Sequence, residues 1–398
     1  MGTAESRDGV PVGTGQRRRK PGALLNVGVL TISLLVSLGL GEALVRALRP
    51  QQLILKRPDI WRPVQGLGWT HRSGVRTLIN TGEGTVHLYT DRDGYRTGAA
   101  GRVNGGTRIL VLGDSFLEAL QVEYEESIAG LLERRLSEWS GEPVSVRNTA
   151  VGGWSPEQYA YQARESMVEE DFDLALVFLY LGNDIVSRRT GPLPPRAPKE
   201  VHHLRFPRSL ARRELVRALL YPVNDFLEVR SHLFVLLKNR ASGLRMKLGM
   251  TAAYFPTALL RSEAASPRWT LTAQLCEEIA ASARAREVPL LFVLIPAPIQ
   301  IDRTAFDEYA RGFDIDPATV DLDQPDRRLG EELTVRRLRF VDLLPAFQDA
   351  SRRGEKLYGE VDKHLTRAGH EVAERAIEPA VRELLVGAAS SSSRPQGG

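Results

Sequence analysis

The chain reads Arg108-Ile109-Leu110-Val111-Leu112-Gly113-Asp114-Ser115-Phe116, an apolar run followed directly by a Gly-Asp-Ser turn. A short run of β-branched and leucine residues predicts a buried strand. The turn would then place the Ser115 hydroxyl at the carboxyl end of that strand, where open α/β sheets bind their ligands. Ser115 is therefore a candidate nucleophile, provided that a base and an oxyanion hole can be found elsewhere in the chain.

Strand-like and helix-like patterns alternate from about residue 106 onward. The predicted strands are Arg108–Leu112, Val144–Asn148, Leu174–Tyr180, Leu290–Ile295 and Leu338–Leu343, and the predicted helices are Ser127–Trp139, Pro156–Glu169, Thr272–Arg286 and Arg367 to about Leu385. Thr366 is the predicted N-cap of the last helix. Because strands and helices alternate, we expect an α/β fold in which a parallel sheet is covered on both faces.

The composition is that of a globular protein, with 42% hydrophobic residues, 26% charged residues and a net charge of +4. Cys276 is the only cysteine, which excludes an intrachain disulfide framework and a cysteine-rich metal site. It lies in a predicted helix, where a packed thiol is the expected role. Adjacent His202 and His203 have no third ligand nearby, so no metal site is predicted. The chain has neither a phosphate loop nor a Gly-x-Gly-x-x-Gly motif after a strand, so no cofactor is expected.

The N-terminal region predicts a membrane segment. Residues 17–20 are basic, and Ala23–Gly41 contains no charged residue. Such a run is long enough to cross the roughly 30 Å hydrocarbon core of a bilayer as a helix. The position of the basic residues predicts a cytoplasmic N-terminus and an exported remainder. A cleaved signal peptide is the alternative, but the run is longer than a typical signal core and no Ala-x-Ala site follows it, which favours an anchor.

These patterns divide the chain into segments along its length. We predict a disordered cytoplasmic tail (1–22), a transmembrane anchor (23–45), a small β-rich extension (46–105), a main α/β domain (106–386) and a disordered C-terminal tail (387–398). The main domain would therefore be extracytoplasmic, either periplasmic or extracellular.

A long insertion, residues 187–268, separates two strands of the main domain. It is rich in proline at its start and then basic and partly helical. Its arginines are Arg205, Arg208, Arg212, Arg213 and Arg217, interleaved with apolar residues. One interpretation is a helical lid with a solvated charged face, and the other is a surface for anionic lipid headgroups or an anionic glycan. Nucleic acid is not an expected partner of an exported domain.

A serine hydroxyl needs a base that takes its proton. Among the seven histidines, His364 has the most suitable context, because it lies in the loop that precedes the last predicted helix. Asp362, two residues earlier, can orient the imidazole and stabilise its protonated form. His370, six residues after His364 and inside the helix, is the alternative base. The other five histidines are assigned surface or packing roles.

Acyl transfer also needs donors aimed at the developing oxyanion. Residues 148–155 follow the second predicted strand, and Gly153 there could offer an unobstructed backbone N–H. Residues 181–184 follow the third predicted strand, and the Asn183 side-chain amide could point into the same cleft. The Ser115 N–H would be a third donor. Turn geometry and helix capping are the alternative roles of the glycine and of Asn183 and Asp184.

These four segments, in this order, resemble the four sequence blocks of the SGNH (GDSL-type) hydrolase superfamily. The blocks are Gly113-Asp114-Ser115, the glycine-containing segment Asn148–Gly153, Gly182-Asn183-Asp184 and Asp362-x-His364. The similarity covers most of residues 106–386 apart from the insertion. It implies a flavodoxin-like α/β/α sandwich and esterase or acyl-transfer chemistry.

The resemblance also implies roles for individual residues. Ser115 would be the nucleophile, His364 the base and Asp362 the orienting acid, while Gly153 and Asn183 would complete the oxyanion hole. Asp114 would be structural. The chain departs from the pattern in two places. Phe116 stands where the name-giving motif has leucine. One residue separates the acid from the histidine where many members have two, a spacing similar to that of the membrane-associated branch that O-acetylates exopolysaccharides.

The expected function is that of a membrane-anchored, extracytoplasmic serine esterase that hydrolyses acyl or acetyl esters. Its expected partners are an ester substrate on a cell-envelope or exopolysaccharide glycan and the membrane around the N-terminal helix. A polysaccharide O-acetyltransferase with the same triad is the first alternative. A non-catalytic glycan-binding or assembly protein is the second, although an intact Ser-His-Asp set has no purpose in a silent site.

Overall fold

The computed structural model describes residues 23–49, 51, 59–81, 84–102, 105–193, 223–224, 226–227, 230–247, 255–312, 315–359 and 363–392. The chain forms two compact units, Met1–Arg49 and Pro50–Gly398. The described part of the first unit contains helix α1 (Ala23–Leu48), and its Leu25–Leu48 stretch is long and apolar enough to cross a membrane. A membrane anchor and a signal sequence both fit such a helix.

The second unit is built on an eight-stranded sheet. Its parallel strands are β6 (Thr107–Leu112), β7 (Val144–Asn148), β8 (Leu174–Tyr180), β9 (Leu290–Ile295) and β10 (Phe340–Asp342). They lie in the order β10-β9-β8-β6-β7, so the first parallel strand along the chain lies between the second and the third. This is the flavodoxin-like order, and its switch point lies between β6 and β8. The predicted fold class is confirmed.

Helices cover both faces of the sheet because the central strands are apolar on both sides. Ile109 and Val111 of β6 face a cluster that includes residues of α3 (Ile128–Ser140), α10 (Leu344–Arg352) and α11 (Arg367–Ser392). Leu110 and Leu112 face the opposite cluster, which includes residues of α4 (Pro156–Glu169), α6 (Arg268–Arg284) and α9 (Gln324–Val335). Burial of these apolar side chains contributes most of the free energy that holds the three layers together.

The segment predicted as a β-rich extension supplies the other strands. β1 (Trp61–Val64) and β2 (Gly68–His71) form an antiparallel hairpin. β3 (Arg76–Asn80), β4 (Thr85–Thr90) and β5 (Arg96–Thr97) continue the main sheet beyond β7 in antiparallel pairs. Three strands of this segment are therefore part of the main sheet.

The remaining described α-helices are α2 (Ser115–Glu118), α5 (His232–Lys247), α7 (Pro298–Ile301) and α8 (Arg303–Gly312). Helix α5 belongs to the predicted insertion, whose five arginines between residues 205 and 217 lie outside the described residues. Helix α11 continues to Ser392, so residues 387–392 of the tail predicted to be disordered are helical. The last strand is shorter than predicted, since it spans Phe340–Asp342 rather than Leu338–Leu343.

Candidate active site

Ser115 lies at the switch point of the sheet, on the single helical turn α2 that follows β6. Asp114 begins this turn as its N-cap, and its Oδ1 accepts a hydrogen bond from the Phe116 N–H at 3.0 Å. Asp114 is buried whereas Ser115 is partly exposed. The cap therefore fixes the conformation of the turn, and the Ser115 hydroxyl stays accessible at the carboxyl edge of the sheet.

A buried arginine holds the other end of the same turn. The Arg96 guanidinium donates hydrogen bonds to the carbonyl oxygens of Glu118, Ala119 and Val122. Burial lowers the pKa of Arg96 to about 10, and the Glu118 carboxylate opposes part of this shift, so the side chain stays charged at neutral pH. These bonds satisfy carbonyl groups that a helix of one turn leaves without intrahelical partners.

His364 lies beside the nucleophile, with its Nε2 at 2.7 Å from the Ser115 Oγ. Its loop is closed by a bridge between Tyr358 and Leu365 and by the Gly359 N–H, which donates to the His364 carbonyl at 2.8 Å. After the loop, the Thr366 hydroxyl accepts from the Gly369 N–H at 3.2 Å, as the predicted N-cap requires. The loop and the helix it leads into thus hold the imidazole at the distance of a hydrogen bond from the hydroxyl.

Phe116 packs between the base and the end of β8. Its ring stacks on Tyr180, with ring centroids 3.9 Å apart, and lies at 4.8 Å from the imidazole of His364. Phenylalanine, in place of the leucine of the name-giving motif, therefore places an aromatic ring against the imidazole of His364.

The other two residues considered for the proton transfer have different positions. Asp362 lies outside the described residues, so its role as the orienting acid stays a prediction. His370 is fully buried in α11, and burial, together with the nearby Arg96 and His364, lowers its pKa to about 3. His370 is therefore neutral, and it is His364 that the structure brings to Ser115.

Both predicted oxyanion donors lie in loops beside α2. The loop after β7 is tied to β6, because the Thr149 N–H donates to the Val111 carbonyl at 3.0 Å. Gly153 in this loop is exposed and has a φ of +78°, a value that favours glycine. In the loop after β8, Asn183 is exposed, and its Nδ2 lies 3.4 Å from the Asp114 Oδ2. Both donors therefore flank the turn that carries the nucleophile.

A buried carboxyl group supports the loop that carries Asn183. The Asp184 Oδ2 accepts from the Tyr180 N–H at 2.9 Å and from the Tyr159 hydroxyl at 3.0 Å. Burial raises the pKa of Asp184 well above its usual range, and the nearby Asp114 carboxyl raises it further. Asp184 therefore has a structural role, since its hydrogen bonds hold this loop to β8 and α4 and its carboxyl group is not exposed to substrate.

Sequence reasoning missed the contribution of the β1–β2 hairpin. The Trp69 indole N–H donates to the Gly152 carbonyl, and the Trp154 indole N–H donates to the Trp69 carbonyl, both at 3.0 Å. His71 of the same hairpin lies 2.6 Å from the Glu118 carboxylate. The density of aromatic residues in Trp61–His71 is an indication that the sequence contains, but the packing of this segment on the loop that carries Gly152 and Gly153 is seen only in the fold.

Metal ions are held in proteins by groupings of ligating side chains. Among the described residues, no group of three or more His, Cys, Asp or Glu side chains is arranged to hold a metal ion. Cys276 is buried in α6, where burial raises the pKa of its thiol. The described site is therefore made of a hydroxyl, an imidazole and amide donors.

Asp114 should make the stability of the protein depend on pH. Burial raises the pKa of Asp114 to about 6, and the hydrogen bond from the Phe116 N–H offsets only part of this. Because the folded-state pKa lies above the unfolded value of 3.8, the stabilising contribution is complete only well below pH 4 and is lost as the pH rises through 6. The free energy of unfolding of Asp114→Asn should therefore rise relative to wild type by roughly 2 kcal/mol between pH 4 and 7. Denaturant unfolding at a series of pH values measures this, and a constant difference would contradict it.

Comparisons with known proteins return similar folds but no family model. No family model and no curated protein matches the chain. The crystal structure of TesA is 14% identical and covers 70% of this chain and 99% of that chain, with a TM-score of 0.36. A lipolytic G-D-S-L family protein from Veillonella parvula is 12% identical over 70% of this chain and 99% of that chain, with a TM-score of 0.37.

A third similar structure is Axe2, an acetylxylan esterase from Geobacillus stearothermophilus. It is 13% identical and covers 71% of this chain and 95% of that chain, with a TM-score of 0.36. The Veillonella protein bears the name of the family that the sequence blocks of this chain resemble. All three TM-scores lie below 0.5, and the function is argued from the geometry of the site.

Proposed function

We propose that this chain is a membrane-anchored serine ester hydrolase of the SGNH type that acts on acyl or acetyl esters outside the cytoplasm. The observation that carries the proposal is the 2.7 Å contact between the Ser115 Oγ and the His364 Nε2 at the carboxyl end of a parallel sheet. A hydroxyl within hydrogen-bond reach of an imidazole is the pairing that nucleophilic catalysis requires.

In the proposed reaction, the Ser115 Oγ attacks the ester carbonyl carbon while the His364 Nε2 takes its proton. The oxyanion that forms accepts hydrogen bonds from the backbone N–H groups of Ser115 and Gly153 and from the Asn183 amide. Collapse of this intermediate breaks the bond to the alcohol, which leaves with the proton from His364. Asp362 would hold the imidazole in the required tautomer and stabilise its cationic form.

Water completes the cycle in an esterase. It attacks the acyl-serine carbonyl, gives its proton to His364 and releases the carboxylic acid, after which Ser115 regains its proton. The donors that hold the first oxyanion also hold the second, because both form at the same carbonyl oxygen. The two half-reactions therefore need one set of residues.

The proposed location follows from the N-terminal segment. Helix α1 contains a stretch long and apolar enough to span a bilayer, and basic residues 17–20 precede it. This distribution of charge favours an N-terminus in the cytoplasm and a catalytic unit on the other side of the membrane. Acylated glycans of the cell envelope are the esters that such an enzyme would meet.

The second candidate is a polysaccharide O-acetyltransferase that uses the same residues. The observation that favours it is the Asp-x-His spacing of residues 362–364, together with the apolar N-terminal helix. A sugar hydroxyl would then replace water in the second half-reaction, so that the acetyl group passes to the glycan. The chemistry at Ser115 is otherwise unchanged.

The test uses the full-length protein in detergent with p-nitrophenyl acetate, with and without a soluble oligosaccharide. Release of acetate together with an unmodified glycan supports the esterase. Mass spectrometry that finds acetyl groups on the glycan supports the transferase. A protein that binds glycans but turns over none of a panel of acyl and acetyl esters would contradict both.

Asn183→Ala should lower kcat by roughly 10²-fold or more, because it removes one donor that acts on the oxyanion. The KM should change little, since the ground-state carbonyl oxygen carries less charge than the oxyanion. Steady-state kinetics of ester hydrolysis measures both constants. An unchanged kcat would remove Asn183 from the site.

A further inference from the structure

A buried histidine and a buried glutamate form a pair directly beside the nucleophilic turn. The His71 Nε2 lies 2.6 Å from the Glu118 Oε1, and the two side chains are only 1% and 2% exposed. Glu118 is the last residue of α2, one turn after Ser115, whereas His71 belongs to β2. A contact this short and this buried is a hydrogen bond that holds both side chains in place.

The second oxygen of Glu118 lies against the oxyanion loop. A Cβ atom built on Gly152 would lie 2.6 Å from the Glu118 Oε2 and 3.6 Å from the Ser115 Cβ. The carboxylate and the nucleophile therefore both pack against Gly152, whose neighbour Gly153 is the proposed oxyanion donor. Because any larger side chain at residue 152 would meet the carboxylate, Glu118 sets how closely this loop can approach α2.

A negative charge at this position would oppose catalysis unless it is neutralised. The oxyanion develops beside Gly153, and a carboxylate a few ångströms away in a buried site would raise its energy. The titratable groups that face Glu118 are His71, Arg96 and Asp114. The guanidinium of Arg96 donates to backbone carbonyls, so His71 is the group hydrogen-bonded to the carboxylate itself. Trp61 stacks on the His71 ring, with ring centroids 4.5 Å apart, and so fixes the orientation of the imidazole.

We propose that Glu118 and His71 form a positioning pair, in which Glu118 sets the Gly152–Gly153 loop against Ser115 and His71 neutralises the Glu118 carboxylate beside the oxyanion hole. The inference rests on the proposed hydrolase function and adds two residues to its machinery. Neither residue exchanges a proton with the substrate. The pair also couples the β1–β2 hairpin to catalysis, since His71 is supplied by that hairpin.

Three variants of the full-length protein test the neutralisation. His71→Gln removes the imidazole that is hydrogen-bonded to the carboxylate and should lower kcat by roughly 10²-fold, as expected for one uncompensated charge in a buried site. Glu118→Gln removes the negative charge and should cost less than about tenfold. The double variant His71→Gln, Glu118→Gln should recover most of the activity that the first substitution loses, with KM close to wild type in every case.

An exposed pair of the same residue types provides the matched control. The His87 Nδ1 lies 3.0 Å from the Glu123 carboxylate, with side chains 51% and 36% exposed. His87→Gln and Glu123→Gln should both leave kcat unchanged, because solvent screens this pair. Circular dichroism and thermal unfolding of every variant separate lost catalysis from lost folding.

The outcomes distinguish this inference from the function on which it rests. Wild-type protein that lacks Ser115-dependent ester turnover would overturn both. Turnover in wild type together with a double variant no more active than His71→Gln would overturn the neutralisation alone, because a packing defect cannot be repaired by a second buried substitution. If His71→Gln does not fold, the double variant is compared with wild type instead. A kcat within about tenfold of wild type supports the proposal, and a loss of about 10²-fold or more overturns it.

Discussion

Ser115→Ala is expected to lower kcat for ester hydrolysis by at least roughly 10⁴-fold, the largest effect of any single substitution in this chain. The substitution removes the Oγ that lies 2.7 Å from the His364 Nε2 and leaves no other hydroxyl at the amino end of α2. The remaining turnover would depend on water that attacks the ester while the oxyanion donors stabilise the intermediate, and this reaction is slow without a nucleophilic side chain. Initial rates with p-nitrophenyl acetate, measured with the full-length protein, give the loss directly.

The structure indicates why this variant should fold normally. Alanine favours helices, Ser115 is the first residue of α2, and the cap at Asp114 uses the backbone N–H of Phe116 rather than the serine side chain. A matched serine elsewhere is Ser137, whose hydroxyl bonds only to backbone groups of α3 and the start of β7. Ser137→Ala should therefore keep its activity per folded molecule. Wild-type rates in Ser115→Ala would mean that another group attacks the ester.

The parallel part of the sheet could be predicted from the sequence with little error, whereas the three antiparallel strands that continue it were assigned to a separate extension. The predicted bounds of β7, β8 and β9 agree with the structure to the residue. Strands β8 and β9 are apolar on both faces, so their hydrophobic runs are uninterrupted and end at loops that contain glycine or proline. Strand β7 instead alternates valine with polar residues. Once the strands are known, Ser115, the Gly153 loop and the Asn183 loop must share one edge, because parallel strands end on the same side.

The helices that were missed lack this strong signal. Helix α9 spans Gln324–Val335 and buries two leucines, Leu329 and Leu333, but it has a proline near its start and charged residues between them. Helix α10 is only nine residues long, buries three apolar residues and also has a proline as its second residue. Two or three buried apolar residues in a short segment are too few to establish a helical period, so the packing of α9 on α6 and of α10 on α11 is seen only in the structure.

The buried polar residues around the site could not be predicted, because they depend on contacts between distant segments. His71 and Glu118 are 47 residues apart in the chain and meet only when the β1–β2 hairpin packs on α2. Arg96 is fully buried although a lone arginine in a sequence is expected at the surface. Its partners are backbone carbonyls, which no residue pattern reveals.

His364→Gln is expected to lower kcat by roughly 10⁴-fold while His370→Leu keeps most of the activity, which identifies the base. Without the imidazole, the Ser115 hydroxyl keeps its proton and stays a weak nucleophile. His370 is buried, its pKa is lowered to about 3, and neither of its ring nitrogens has a hydrogen-bond partner among the described residues. Leucine at that position therefore removes no hydrogen bond.

Added imidazole provides the second readout for His364. With alanine instead of glutamine at this position, the lost ring leaves space beside the Ser115 Oγ, and free imidazole that enters it should restore part of the turnover in proportion to its concentration. The same addition should not change the rate of Ser115→Ala, which has no hydroxyl to activate. If His370→Leu loses as much activity as His364→Gln while its thermal unfolding is unchanged, His370 also takes part in the reaction, and His364 is not identified as the base by these substitutions.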